Sequence, residues 1–311
     1  LNDRLSLDVG ARYTDEDKRA KVLNRCYTSA TFTTLRDCTP AIATDDPAAA
    51  NFDRTINFKN TSPKIALNFD LNDNVMLYGL ASRGFKSGGY NIRAQATLVP
   101  RSALPFDDEV VDSFEVGAKM GLLDQRLFLN LAAFHNKYED IQLSVFTANP
   151  AGGFFGDFTN AGKGTVQGLE AEYQWLLSDA FTVSGNLAWL DAQYDEFLFA
   201  GLDIANEQEF TNAPEFSGAI NLEWRTAVGD AGELTARVGY SYQSEVVATT
   251  EIIRSNVPPA APFGRLPISQ DGYGLVTAGV VWQSGGPWSV SLQGTNLTDK
   301  EYLTTGYNLA Q

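Results

Sequence analysis

Few residues in this sequence have the type and spacing that catalysis requires. The single histidine, His135, lies in a segment that predicts a β-strand, and no nucleophile motif accompanies it. Glu170 and Glu172 are two residues apart, so they share one strand face and could act as general acid and base. Carboxylates lining the interior of a β-barrel would give the same pattern. We therefore expect a structural role for His135, no catalytic residue and no enzymatic activity.

Two further motifs resemble ligand sites but lack necessary parts. Asp107, Asp108 and Glu109 are consecutive, without the alternating ligands and turn glycine of a calcium loop. The glycine-rich segment 84–89 precedes no predicted helix, so a phosphate-binding loop is not supported. A solvated loop and a flexible strand exit are the structural interpretations of these motifs. We expect neither a metal site nor a cofactor.

Binding is better supported than catalysis. Aromatic and cationic side chains gather in segments that we predict to be loops or strand ends. Ring faces with a few cations suit flat, anionic or catecholate-type ligands, or sugar rings, although the same residues could simply pack the loops. The candidates for substrate binding are Arg83, Phe85, Lys86, Tyr90, Asn91, Arg93, Phe154, Phe155, Phe158, Phe199 and Phe263.

The composition excludes some classes of function. The 311 residues include 23 lysines and arginines against 38 aspartates and glutamates, a net charge of −15. An acidic surface repels phosphate backbones, so we expect no nucleic-acid partner. Cys26 and Cys38 are the two cysteines and lie in one polar segment. Without other thiol or histidine ligands nearby, a disulfide is a better prediction than zinc, and it indicates an oxidising, extracytoplasmic location.

The elements that would position these residues are long β-strands, and the clearest is a hairpin over residues 160–197. Each arm is about 15 residues, against roughly 5–6 for an ordinary strand. One face is apolar and the other is polar, and aromatic residues lie at the turn, a pattern typical of a membrane-spanning barrel. The apolar face comprises Leu169, Ala171, Tyr173 and Trp175 on the first arm and Phe181, Val183, Gly185, Leu187 and Trp189 on the second.

The same alternation recurs along the chain and predicts about eleven strands. Short turns near residues 72, 123, 178, 230 and 285 alternate with long loops, as in barrels whose short turns face the periplasm. We therefore predict an all-β fold, a transmembrane antiparallel meander β-barrel. Besides the hairpin, strands are predicted at about 5–13, 65–69, 75–85, 114–121, 126–146, 220–224, 234–242, 276–282 and 290–293, and loops at 14–53 and 150–156.

Four sequence blocks resemble the C-terminal barrel half of TonB-dependent outer-membrane receptors. They are Ser82–Asn91 (SRGFKSGGYN), Asn160–Gly164 leading to Gly168–Glu170, Thr211–Glu215 (TNAPE) and Asn296–Tyr302 (NLTDKEY). The resemblance covers nearly the whole chain. It implies a barrel of about 22 strands in the outer membrane of a Gram-negative bacterium, closed by an N-terminal plug. We expect residues 1–311 to be the C-terminal portion of that barrel domain, with the plug, its TonB box and the final strand outside this sequence.

The resemblance also implies active import of a scarce nutrient, ferric siderophores foremost, driven through the inner-membrane TonB complex. The other expected partners are outer-membrane lipid, the small-molecule cargo and an accessory surface or periplasmic protein. Polar residues of the lumen would contact the plug. The expected lumen-lining residues are Glu170, Glu172, Asn221, Glu223 and Arg237.

Three alternatives remain open from the sequence. A passive porin-like channel of about twelve strands would need one strand more than we predict, because such barrels have even numbers. An outer-membrane lipase or protease would need His135 as a catalytic residue. A soluble all-β domain would bury its apolar stripes in a core.

Overall fold

A computed structural model describes the chain at residues 3–23, 25–27, 35–37, 52–92, 100–148, 154–160, 162–199, 202–248 and 268–305. The eleven strands of the main sheet path follow one another in chain order, each antiparallel to the next, which confirms the predicted meander. They are β1 (Leu5–Val22), β2 (Phe52–Asn72), β3 (Val75–Lys86), β4 (Glu109–Leu122), β5 (Leu127–Glu139), β6 (Gly162–Leu176), β7 (Phe181–Phe199), β8 (Phe216–Ala227), β9 (Glu233–Gln243), β10 (Tyr273–Gln283) and β11 (Ser289–Gly294).

Short strands and 3-10 helices lie mainly at the end of the sheet opposite the tight turns. Four two-stranded pairs form there: Arg25–Tyr27 with Leu35–Asp37, Gly89–Tyr90 with Pro105–Phe106, Gln142–Ala148 with Phe154–Asn160, and Val246–Val247 with Ser269–Gln270. Leu202–Asp203 pairs with the end of β7. Short 3-10 helices cover Pro100–Ala103, Ala205–Glu207 and, at a tight turn, Gly229–Ala231. No helix in the described part of the chain is long and apolar enough to span a membrane.

The pairing register aligns the alternation of neighbouring strands, so the sheet has one apolar and one polar face. Leu169 lies opposite Ala133 on β5 and Trp189 on β7, whereas Glu170 lies opposite Ala132 and Ala188. Apolar residues of the first face are exposed rather than buried, for example Leu187 at 61%. In water this exposure would be costly, so the apolar face indicates contact with lipid. We call it the outer face, and the polar side the inner face. The eleven-stranded sheet as a whole is called the wall.

Aromatic residues border the outer face at both ends, as expected at the two membrane–water interfaces. The pairing register also shows on which face each residue of β3 lies, although both faces of β3 are partly apolar in sequence. Leu77 pairs with Phe69 and Ala118, so it lies on the outer face. Near the tight turns the outer-face aromatics are Trp175, Phe181, Trp224 and Trp282, and at the other end they are Phe114, Trp189, Phe216, Tyr240 and Tyr242.

The predicted loop at residues 14–53 was partly wrong. β1 continues to Val22 and β2 begins at Phe52, so both strands extend far beyond the aromatic border. Alternation is hard to see in this extension because polar residues occupy both faces. The strands are joined there by side-chain bonds, such as the two 2.7 Å bonds from Arg19 to the Asp53 carboxylate. The extension therefore lies in water, above the membrane.

The predicted strand at 126–146 and loop at 150–156 were also partly wrong. β5 ends at Glu139, and Asp140 has a left-handed φ of 55° that breaks the strand. The chain then forms Gln142–Ala148, which pairs with Phe154–Asn160 instead of continuing β5. We call this pair the outer hairpin. It lies at the same end of the sheet as the β1–β2 extension.

Candidate functional site

The substrate-binding candidates of β3 divide between the two faces of the sheet. Arg83 shares the outer face with Ala81, and its guanidinium makes two bonds of 2.5 and 2.6 Å to the Asp112 carboxylate. Phe85 follows on the same face. Lys86 lies on the inner face, and its Nζ is 4.0 Å from the Glu109 carboxylate. The structure therefore does not bring Arg83 and Lys86 together, and each has an acidic partner.

The segment after β3 folds against the inner face of the β1–β2 extension. We call its described residues, 87–92 and 100–106, the strap. Lys18 Nζ donates to the Gly88 carbonyl at 2.9 Å, and Ser87 Oγ donates to the Glu16 carboxylate at 2.7 Å. Tyr90 packs on Phe52 with a ring separation of 5.5 Å, and Asn91 is only 2% exposed. Two predicted site residues, Tyr90 and Asn91, thus help to hold the strap on the wall.

Glycine is required where the strap crosses the wall. A Cβ on Gly88 would lie 2.1 Å from the Phe106 carbonyl oxygen and 2.8 Å from the ring of Phe58. The Gly88 amide donates to Asp108 at 2.9 Å, and Asn60 of β2 donates to the same carboxylate. Gly88 therefore allows close packing of the strap backbone against β2.

A residue that the sequence analysis did not single out, Gln142, ties the strap to the outer hairpin. Its Nε2 donates to the carbonyls of Lys86, Ser87 and Asp107 at 3.0 to 3.2 Å. Its backbone N–H donates to the Glu109 carboxylate at 2.8 Å. The side chain is 8% exposed, so these bonds are shielded from water. No local pattern distinguishes this glutamine from others in predicted strands.

Asn160 makes the second link between the same two segments. Its Nδ2 donates to the carbonyls of Asp107 and Asp140 at 3.0 and 2.8 Å, and its Oδ1 accepts from the Asp107 amide at 2.7 Å. The link brings Phe158, a predicted binding residue, against Phe106. The sequence analysis did not select Phe106. The two rings are stacked, with centroids 5.6 Å apart and planes at 26°.

A second aromatic cluster supports the loop after β7. Tyr194 stacks on Phe210 at 4.2 Å and meets Phe197 edge-on at 5.1 Å. Burial raises the pKa of the Tyr194 hydroxyl to about 12. Asp203 accepts from the amides of Phe197 and Ala205 at 3.0 and 3.1 Å, and these bonds lower the pKa of its carboxyl. This cluster is a small core, and it shapes the loop rather than exposing rings.

All five expected lumen residues have inner-face positions in the pairing register. Glu172 accepts from Asn130 at 3.4 Å. Glu223 accepts from Arg237 at 2.6 Å and from Arg225 at 3.1 Å. A polar cavity of about 520 Å³ lies beside Arg225 and Arg237 near the tight turns, and Asn221 also lines it. Tyr78 and Glu115, joined by a 2.7 Å bond, are inner-face residues that the sequence analysis did not select.

The family-like blocks have structural roles at the end of the sheet opposite the tight turns. The Asn296 side chain closes its own loop by accepting from the Lys300 amide and donating to the Lys300 carbonyl, at 2.9 and 3.0 Å. Asn212 has a left-handed φ of 53°, and its amide donates to the Val247 carbonyl. The backbone carbonyl of Glu215 accepts a hydrogen bond from the Leu190 amide, which joins the block Thr211–Glu215 to β7.

The geometry also bears on the catalytic alternatives. His135 lies on the outer face, with Nδ1 3.1 Å from Gln167 Oε1, whereas Glu170 and Glu172 lie on the inner face. The histidine therefore cannot act together with either carboxylate. Within the described ranges, no group of three or more histidine, cysteine, aspartate or glutamate side chains is placed to hold a metal ion.

Seven of the predicted residues lie, wholly or in their side chains, outside the part of the chain that the structure describes. Arg93, Phe263 and Cys38 lie outside the described residues, as do the side chains of Cys26, Phe154, Phe155 and Phe199. Their predicted roles in binding and in a disulfide remain predictions.

Comparison with known proteins identifies the chain's relatives. Residues 1–297 match the family described as "TonB dependent receptor-like, beta-barrel". The metal-pseudopaline receptor CntO of Pseudomonas aeruginosa is 31% identical over 162 residues, which are 51% of this chain and 20% of that protein. The pesticin receptor of Yersinia enterocolitica is 24% identical over 246 residues, 78% of this chain and 32% of that receptor.

Solved structures show the same fold. The ferric yersiniabactin uptake receptor FyuA of Yersinia pestis aligns with a TM-score of 0.72 and 19% identity, over 100% of this chain and 40% of that chain. The ferripyoverdine receptor of Pseudomonas aeruginosa aligns with a TM-score of 0.60 and 20% identity, over 98% of this chain and 34% of that one. The chain thus spans a fifth to two fifths of the length of these relatives.

Proposed function

Because this chain belongs to the β-barrel family of TonB-dependent receptors, we propose that it is part of an outer-membrane receptor that imports an iron chelate of the siderophore class. The observation that carries the proposal is the two-faced wall, apolar and exposed outside and polar inside, topped by interlocked segments on its inner side. The family and the fold are those of transport receptors in the outer membrane. Relatives named as receptors for metal–pseudopaline and ferric yersiniabactin support the choice of cargo.

The complete receptor would contain the remaining strands, a plug inside the barrel and a segment that contacts the inner-membrane TonB complex. Residues 1–311 would form the C-terminal portion of the barrel domain. The inner-face residues Glu170, Glu172, Asn221, Glu223 and Arg237 would then contact the plug. The lengths of the relatives, of which this chain covers 20% to 40%, support this arrangement. Cargo would first meet the strap and the outer hairpin, on the inner side of the extended strands.

Uptake of radioactive iron by cells tests the proposal. A strain without other iron receptors would express the full-length protein and receive ⁵⁵Fe as a panel of ferric siderophores. We expect saturable uptake of at least one chelate, abolished by deletion of TonB and by a proton uncoupler. The matched control is the same strain with an empty vector. Uptake of small solutes that is neither saturable nor energy-dependent would instead identify a passive channel and overturn the proposal.

A further inference from the structure

We propose that Arg12 and Lys64 bind an anionic group of the cargo, such as a carboxylate of an iron chelate, on the inner face of the wall. The inference rests on the proposed function, because it assigns a chemical property to the imported cargo. Arg12 of β1 pairs with Ser62 of β2, and Lys64 of β2 pairs with Gly10 of β1. The two cations are thus diagonal neighbours, and long side chains at such positions can reach one another.

The pairing register places both cations on the inner face. Asn68 of β2 pairs with the inner-face residue Tyr78. Lys64 is four residues from Asn68 on the same strand, so it shares that face by the two-residue repeat. Ser62 shares it for the same reason, and Arg12 lies directly opposite Ser62. Both side chains are exposed on this face.

The depth of the two cations is that of the aromatic border opposite the tight turns. Lys64 pairs with Ser82, which pairs with Ser113, the neighbour of the border residue Phe114. On β2, Lys64 is four residues nearer the tight turns than Asn60, whose side chain donates to Asp108, just after the strap. The pair therefore lies next to the strap on its lumen side, where cargo that has met the strap would enter the barrel.

Arg12 and Lys64 differ from the other inner-face cations because they have no partner within the residues that the structure describes. Two neighbouring like charges repel each other, and an anion between them removes that repulsion. The other inner-face cations are engaged: Lys18 with the Gly88 carbonyl, Arg54 with the Ala103 carbonyl, Lys86 with Glu109, Lys119 with the ring of Tyr78, and Arg225 and Arg237 with Glu223.

The carboxylates near the two cations are bonded to other groups. Asp8, which is also diagonal to Lys64, accepts from Asn68 at 3.2 Å. Asp108 accepts from a strap amide at 2.9 Å. In the described part of the chain, neither carboxylate forms an ion pair with the two cations. The protein itself therefore does not supply the anion there.

The space between the two cations is open to the lumen. Gly10 lies directly opposite Lys64, and nothing lies within 4 Å of a Cβ built on it. Ser62 and Ser82 flank Lys64 on β2 and β3, so hydroxyl donors adjoin the site. A guanidinium and an ammonium beside hydroxyl groups suit an oxyanion, and the planar guanidinium matches a carboxylate in particular.

The test measures equilibrium binding of ferric chelates to the full-length receptor in detergent, by quenching of tryptophan fluorescence. The anionic probes are ferric citrate and a ferric tris-catecholate, and the uncharged probe is a ferric tris-hydroxamate. For the anionic probe that wild type binds best, we expect the double variant Arg12→Gln, Lys64→Gln to weaken binding about tenfold. Added salt should weaken binding in wild type more than in the double variant.

The matched control is the double variant Lys21→Gln, Lys137→Gln, which removes two exposed cations from the outer face and should leave binding unchanged. A further variant, Gly10→Glu, keeps both proposed cations but places a carboxylate in the open space between them. It should weaken binding of the same anionic probe about as much as the loss of the two cations. Heat-modifiable mobility like that of wild type would verify that each variant is folded.

Unchanged affinity for the anionic probe in either folded variant of the site would overturn the inference, and so would equal weakening of the uncharged probe. Faster hydrogen exchange of the plug with unchanged cargo binding would also overturn it, and would assign the two cations to the plug. If neither anionic probe binds wild type but the tris-hydroxamate is imported in a TonB-dependent manner, the anion site is overturned and the proposed function stands. Absence of TonB-dependent uptake for every chelate would overturn the proposed function, and this inference with it.

Discussion

At the scale of single residues, the strap depends on the absence of a side chain at Gly88. Replacing it with alanine would place a Cβ 2.1 Å from the Phe106 carbonyl oxygen, where backbone on both sides must move. We expect Gly88→Ala to destabilise the strap by about 1–3 kcal/mol, the usual cost of overpacking. Hydrogen exchange of the amides at 87–92 and 100–106 would show this as faster exchange.

The matched control for that substitution is Gly10→Ala on β1, where nothing lies within 4 Å of the new Cβ. The strap amides of the Gly10→Ala variant should exchange hydrogen at the wild-type rate. Equal exchange in both variants would mean that the strap does not rest on the wall as described.

Asp203 provides a test through pH. The amides of Phe197 and Ala205 stabilise its ionised form, which lowers the pKa of the folded state below that of the unfolded state. A lowered carboxyl pKa stabilises the fold above the unfolded value, about 3.9, and this contribution is lost as the pH falls through the folded pKa. We expect Asp203→Asn to lower the midpoint of thermal unfolding at pH 7.

The difference between wild type and Asp203→Asn should shrink progressively below about pH 4, where the wild-type carboxyl becomes protonated. Calorimetry of the full-length receptor across pH 7 to pH 3 would measure it. A difference that stays constant over this range would show that the two amide bonds do not depend on the charge.

At the scale of elements, side chains of each strand alternate between the two faces of the sheet. One face meets lipid and the other meets the lumen. Two residues of adjacent strands illustrate this: Ile220 of β8 lies midway between Phe216 and Trp224 on the outer face, and Asn186 of β7 lies on the inner face. Both side chains are exposed. The difference between them is therefore the surrounding medium, hydrocarbon for one and a polar lumen for the other.

Arginine substitutions at these two positions should differ in cost. A cation at the bilayer midplane of a barrel costs about 2–4 kcal/mol, whereas lumen positions tolerate charge. We expect Ile220→Arg to reduce the free energy of folding into phospholipid vesicles by that amount, and Asn186→Arg to change it little. Urea titration followed by tryptophan fluorescence measures both. Equal costs would contradict the assignment of faces.

At the scale of the whole molecule, the sheet path is open. It runs from β1 to β11, and within the described residues these two strands pair with β2 and β10 only. β1 has 18 residues and β11 has 6, so they are poorly matched as partners. Unpaired backbone groups in hydrocarbon cost several kcal/mol each, and closure by further strands removes that cost.

The 311-residue chain folded alone into vesicles should therefore lack the heat-modifiable mobility on gels that closed barrels show, whereas the full-length receptor should display it. Both proteins would be tested in the same lipid and at the same protein concentration. A heat-modifiable, monomeric species formed by the chain alone would mean that it closes by itself, as a smaller barrel.

The sequence by itself determined the fold class, the strand order and the two faces. These properties follow from local alternation: a residue's face depends only on its position in the strand, so Leu169 and Glu170 could be assigned without knowing any neighbour. The four family-like blocks likewise located the segments that join strands at the end opposite the tight turns. Where both faces were polar, as in the β1–β2 extension, or both apolar, as in β3, the alternation gave no usable signal.

Only the tertiary structure decided which candidate residues meet. Arg83 was grouped with Lys86 in sequence, yet the register directs it to the outer face and into a pair with Asp112. Phe106 and Gln142 carried no signal, because their roles depend on partners 52 and 35 residues away. Contacts at such separations are set by how loops fold back over the wall. Their energies come from burial and hydrogen bonding between distant segments, which no local pattern encodes.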